Sequence, residues 1–141
     1  TVNSSIFTCK YNYTWLDTDN FVYYCFTNID GYCKAGVYSG TGRADGGFCY
    51  TGFEPAFLFV RAVSSGNDWV QFDNVSDSDN PADHAMYMNS NTAQTSGSSF
   101  TIDILSNGWK VRTTNGELNA DTADMVYLAF AKQPLKYAVA R

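Results

Sequence analysis

The sequence predicts an all-β fold of the β-sandwich or jelly-roll kind, and three observations carry that prediction. Short apolar and aromatic runs recur along the chain, turn clusters separate them at close spacing, and no stretch sustains a helical period. Aromatic residues make up 16% of the 141 residues and charged ones 16%, a balance that suits pleated surfaces on which Tyr, Phe and Trp pack.

The strand-like runs, in order, cover residues 21–27 (FVYYCFT), 48–51, 56–63, 69–73, 100–105, 109–113 and 125–131. Asp30-Gly31, Ser39-Gly40, Gly46-Gly47, Ser65-Gly66-Asn67, Asn107-Gly108 and Asn115-Gly116 punctuate them. The two Asn-Gly pairs suit tight hairpin turns, because both residues tolerate positive φ. Phe100, Ile102 and Ile104 alternate with Thr101 and Asp103, and Trp109 and Val111 alternate with Lys110 and Arg112, which reads as a hairpin with one wet face. Residues 21–26 and 126–130 are apolar on both faces, as expected of central strands covered on each side.

A repeat sits inside this pattern. Residues 17–26 read DTDNFVYYCF and residues 121–130 read DTADMVYLAF, sharing Asp, Thr, Val, Tyr and Phe in register. Two domains are therefore expected: residues 1–36 as the C-terminal part of a preceding repeat copy, and residues 37–141 as one complete β-sandwich. Half a copy leaves a sheet edge and an apolar face bare, so residues 1–36 are expected to pack on other parts of the assembly.

Charge and composition narrow the function classes. A net charge of −5, with no cluster of Lys and Arg, disfavours nucleic acid and anionic membrane as partners. No apolar run approaches the roughly 18 residues of a membrane span, and no signal-peptide pattern opens the chain. The first residue is not Met, so the expectation is a processed product or the ordered part of something longer. Cys9, Cys25, Cys33 and Cys49 form no CxxC pair. Buried thiols are the expectation for a domain that needs no staples, although an even count also permits two disulfides.

From Tyr50 onward the chain carries YTGFEPAFLFVR, DWVQFDN, NP, ILSNGWKVRTT and VYLAFAKQPLKYA in that order, after NFVYYCFTNIDGYCKAGVYSG. These words resemble tandem domains of tail-fibre-like structural proteins of tailed bacteriophages from marine and other environments, over most of residues 17–141. The resemblance implies a virion structural and adhesion module, in a tail fibre, tail tip or head-attached fibre, made in the host cytoplasm. Its implied partners are other virion subunits, further copies of itself in a homotrimer, and a host-surface glycan. A capsid decoration or head-fibre protein is the first alternative, and a lectin or polysaccharide depolymerase the second. The resemblance brings no catalytic residue and no cofactor, so a non-enzyme is expected.

Residue chemistry agrees with that reading. Trp15 and Trp69 lie beside polar turns, where an aromatic face can stack on a sugar while neighbouring groups hydrogen-bond, and are the ligand-binding candidates. Asp73, Asp77, Asp79 and Asp83 offer hard oxygen ligands for Ca²⁺, but the loop lacks the central Gly and closing Glu of an EF-hand. Asp83-His84 suggests a base and its orienter, yet no nucleophile elbow accompanies it. Glu54 and Glu117, the only glutamates, would have to flank one cleft to act as a glycosidase pair. Residues 40–47 are glycine-rich without the Lys-Ser/Thr ending of a phosphate loop, and read as a flexible hairpin connection.

Overall fold

The computed structural model describes residues 24–133 apart from residue 65. Among the described residues, eight strands and one short helix follow in order: β1 (Cys33–Ser39), β2 (Phe48–Tyr50), β3 (Pro55–Ala62), β4 (Val70–Asp73), β5 (Met86–Tyr87), β6 (Ile102–Leu105), β7 (Gly108–Val111), α1 (Gly116–Asn119) and β8 (Asp124–Ala131). They form two antiparallel sheets, one of five strands in the order β1-β8-β3-β4-β5 and one of three in the order β2-β7-β6. The all-β expectation holds, and six of the seven strand-like runs lie on strands.

Alternation explains the layers. Met125, Tyr127, Ala129 and Ala131 of β8 are buried, and the register sets them beside Leu58, Val60 and Ala62 of β3 on the same face. Val70 and Phe72 of β4 continue that face. From the smaller sheet, Cys49, Ile102, Trp109 and Val111 join the same apolar cluster, so the two sheets share one core. Each large side chain buried there contributes about 1.5–3 kcal/mol.

Trp109, fully buried, anchors this core. Tyr38 of β1 meets it edge-on with ring centroids 5.2 Å apart, and Tyr127 does so at 5.6 Å. The Tyr38 hydroxyl donates to the Leu118 carbonyl at 2.6 Å. Burial drives the Tyr38 hydroxyl pKa far above its ordinary value, and nearby Cys49 adds to the rise. Gly36 makes room for Tyr127, since a Cβ at Gly36 would sit 2.6 Å from the tyrosine ring.

Several expectations need correction. Residues 24–27 are not a strand: Tyr24 is 82% and Phe26 54% exposed, so the described part of the 21–26 run is not a covered central strand. The match between residues 17–26 and 121–130 is thus not a structural one over residues 24–26; residues 17–23 lie outside the described residues. Its partner β8 is central, flanked by β1 and β3. One of its neighbours, β1, pairs with it over its whole length and crosses the expected boundary between residues 36 and 37. No alternation marks β1 in CKAGVYS, because Gly and Ala stand where larger residues would show the period.

The Asn-Gly pairs also behave differently from expectation. In the β6–β7 hairpin, Leu105 pairs with Gly108, so Ser106 and Asn107 form the turn and Gly108 starts β7. Gly108 is needed for close approach, because a Cβ there would strike the Cys49 carbonyl and lie 2.7 Å from the Phe48 ring. Asn115 makes no hairpin: its side chain caps α1 by accepting from the Glu117 amide at 2.8 Å. Thr101, expected on the wet face, is buried and donates its hydroxyl to the Arg112 carbonyl at 2.7 Å.

Residues 40–47 connect β1 in one sheet to β2 in the other, so they are a crossing and not a hairpin. Asn119, fully buried on α1, braces it. Its Oδ1 accepts from the Thr41 amide at 2.8 Å, and its Nδ2 donates to the carbonyls of Arg43 at 2.7 Å and Thr113 at 2.8 Å. Cys33 and Cys49 are buried free thiols, as expected, whereas Cys25 is exposed and Cys9 lies outside the described residues.

Candidate functional site

The strands that build the core present a second face to the outside. On β8, Val126, Leu128 and Phe130 alternate with the buried residues and are only half-covered. Ala35 and Val37 of β1 and Phe59 of β3 lie beside them by register, and Val37 is 65% exposed. Of these, Val126, Leu128, Ala35, Val37 and Phe59 line one broad apolar groove together with Tyr24, Phe26, Trp69 and Met88. The five-stranded sheet is thus apolar on both faces, but only the face toward the smaller sheet is fully covered among the described residues.

Trp69 stands at the rim of that groove, just before β4. Its amide donates to Asn89 Oδ1 at 2.8 Å, and its carbonyl accepts from the Met88 amide at 2.9 Å. Asn89 Nδ2 in turn donates to Asp68 Oδ1 at 2.8 Å. The Arg61 guanidinium lies 5.7 Å from the centre of the indole and donates to the Asn67 carbonyl at 3.0 Å. A half-buried aromatic plate is therefore held by its backbone beside an amide, a carboxylate and a guanidinium. Such a plate can stack on an apolar surface or on the C–H face of a sugar while the rim hydrogen-bonds.

Trp15, the other aromatic candidate, lies outside the described residues. Glu117 lies near Asp68 and Tyr87, and its carboxyl pKa is raised first by burial and then by the Asp68 charge, with the Tyr87 hydroxyl opposing. Glu54 sits elsewhere, paired with Lys132 at 2.8 Å, so the two glutamates do not share a cleft. Sequence reasoning missed the proximity of Asp68 and Glu117, which joins α1 to the segment before β4 across a long stretch of chain and leaves no local signal.

The acidic segment divides. Asp73 folds on its own loop, accepting from the Val75 and Ser76 amides at 3.1 and 2.7 Å and from the Ser76 hydroxyl at 2.9 Å. Asp79 is exposed. Asp77 and Asp83 come together with His84, one donor atom from each residue lying within 4.8 Å of the others. The structure thus brings together two of the four aspartates named from the sequence and adds the histidine.

Fold and surface together define a class: an all-β module of two antiparallel sheets that share one core, with a second apolar face only partly covered among the described residues. Within that class, the chain belongs to the family described as Domain of unknown function (DUF7483), whose profile matches residues 1–134. No curated protein and no solved structure matches it.

Proposed function

We propose that this chain is a structural and adhesion module of a phage virion appendage, a β-sandwich whose outer sheet face seats on neighbouring subunits. The observation that carries the docking role is the apolar groove beside Trp69, left uncovered among the described residues on strands whose other face forms the core. Isolated soluble domains rarely leave a contiguous aromatic patch of this kind in water. The resemblance of residues 17–141 to tandem tail-fibre domains supports the virion setting, with self-association into a homotrimer and head or tail attachment. In this reading the protein builds and adheres and has no catalytic step. Multivalent display would turn weak surface contacts into tight adhesion.

A lectin-like role for the same rim is the second reading, favoured by the Asp68, Asn89 and Arg61 groups around Trp69. Light scattering on the purified chain, a glycan array and localisation of the module on intact particles test these together. Concentration-dependent oligomers and a place in the tail or head appendage are the expected results. A strictly monomeric chain with no particle location would overturn the proposal. Release of reducing sugar that disappears in Glu117→Gln would replace it with a depolymerase.

A further inference from the structure

Resting on the docking reading above, we infer that the partner is a second copy of this chain, joined edge to edge by antiparallel pairing of β1 with the partner's β1. In an antiparallel ladder the residues of a strand turn their N–H and C=O alternately toward and away from the neighbour. The Gly40 amide donates to the Ala123 carbonyl and the Ala131 amide to the Tyr32 carbonyl, each at 2.8 Å. Even-numbered residues of this stretch therefore bond to β8, and odd-numbered ones face the outer edge of the sheet. The first half of that edge is closed. Ile29 and Cys33 exchange backbone bonds there at 3.0 and 3.1 Å, and the Ala35 amide donates to Asn28 Oδ1 at 2.7 Å. Beyond Ala35 the cover ends, and among the described residues nothing bonds the outward groups of Val37 and Ser39.

A bare strand edge is a template for another strand, and proteins close such edges with charges, Pro, bulges or covering loops. This one handles its other edges that way. At the far side of the same sheet, β5 spans two residues and Ala85 beside it bridges Thr95. On β6, Ile102 bridges Ala82, and Asn80 both donates to the Ile104 carbonyl and accepts from its amide at 2.8 Å. The open half of β1 carries no such device: Val37 and Ser39 are uncharged and exposed, and Val37 lines the apolar groove. A two-fold axis beside Tyr38 sets Val37 opposite the partner's Ser39, and Ser39 opposite the partner's Val37, so each bare N–H meets a bare C=O. The pairing ends where Asn28 and Ile29 begin to cover the edge. Paired residues of a ladder share a face, so the two grooves lie side by side and merge into one apolar floor. That match favours a second copy over an unrelated strand, which would fill the same short edge without extending the floor. A two-fold seam joins copies in pairs, so a three-fold contact uses another part of the surface.

Two experiments on the full chain test the seam. Ser39→Pro removes an outward N–H that the fold itself does not use and leaves every groove residue in place. Sedimentation is expected to show self-association weakened by at least about ten-fold, with the melting curve of the dilute protein unchanged. The second experiment needs no proline. Val37→Cys and Ser39→Cys chains, each also carrying Cys9→Ser and Cys25→Ser and distinguished by a size tag, are mixed and oxidised. Hydrogen-bonded partners sit about 5.5 Å apart at Cα, within reach of a disulfide, whereas Val37 and the partner's Val37 are diagonal neighbours and farther apart. Unlike chains are therefore expected to cross-link at least about ten-fold faster than like ones. Should Ser39→Pro unfold the chain, the cross-linking result decides. Self-association that persists with no preference for the unlike pair would overturn the seam and leave the docking face standing. A chain that stays monomeric at every concentration would overturn both.

Discussion

The two faces of the five-stranded sheet are made of the same kinds of residue, yet among the described residues one is fully covered and the other only partly. On β8, Met125, Tyr127 and Ala129 are buried, while Val126, Leu128 and Phe130, one step along, are half-covered. Two tryptophans mark the difference. Trp109 is fully buried between the sheets against Tyr38 and Tyr127, and Trp69 rims the groove on the other side. Composition therefore does not decide which face becomes the core. The smaller sheet does, because Cys49, Ile102, Trp109 and Val111 all project into one side. A fold needs only one such layer, and an apolar second face is then free for contact with something else.

The sharpest way to break this comparison is to truncate both tryptophans. Trp109→Ala removes a fully buried ring from among side chains that cannot collapse on the void, and is expected to cost about 3–5 kcal/mol in urea denaturation. Trp69→Ala is expected to cost less, about 1–2 kcal/mol, since its ring is only partly buried. Equal losses would mean that the outer face belongs to the core.

Asn119→Ala sharpens the account of the closed side. Removing its side chain orphans the Thr41 amide and the carbonyls of Arg43 and Thr113. The expected loss is about 2–3 kcal/mol, with amide exchange rising first in residues 41–46. Exchange that rises evenly over the chain would show that Asn119 supports the core generally and does not specifically hold the crossing.

What the sequence disclosed follows the same division. The runs that became β3, β4, β6, β7 and β8 were legible, because large apolar residues repeat there on a strand period. β1 was not, because Gly36 is small for the sake of the Tyr127 ring, a reason that exists only once the two strands are paired. The run at residues 21–26 misled in the opposite direction over its described residues 24–26, since an apolar string satisfies the strand pattern wherever it lies. For the candidate sites, Trp69 was visible as an aromatic beside polar turn residues. The joining of Asp77 and Asp83 with His84 was not, because it depends on side chains that fold the loop back on its own backbone.

Alkaline pH tests the closed side more gently. Burial pushes the Cys49 thiol from 9.0 up to about 12, and burial also raises the Tyr38 and Tyr127 hydroxyls, with Cys49 adding to both. Groups whose pKa is higher in the folded state favour folding while protonated. Their contribution is fully present below pH 9 and is lost as the pH climbs toward 12, so the denaturation midpoint should fall over that window. Cys49→Ala is expected to soften the fall without abolishing it, because the tyrosines remain. Iodoacetamide at mildly alkaline pH should label Cys25, which is exposed, and spare Cys33 and Cys49 until the protein unfolds. Rapid native labelling of Cys49 would mean that the smaller sheet opens easily.

The smallest stability effect is expected on the open face, and there it carries the most information. Val37 is 65% exposed in the middle of β1, opposite Val126 of β8. Val37→Lys should change the unfolding free energy of the single chain by no more than about 0.5 kcal/mol, as surface substitutions do. A docking face responds differently, because a charge buried against a neighbour without a partner is costly. Self-association measured by sedimentation should therefore weaken at least ten-fold in Val37→Lys, while the melting curve of the dilute protein stays in place. A loss of both would show that Val37 is needed within the fold, and a loss of neither would remove the groove from any role in assembly. Only the split result, stable but no longer associating, fits a sheet that uses one face to fold and the other to join.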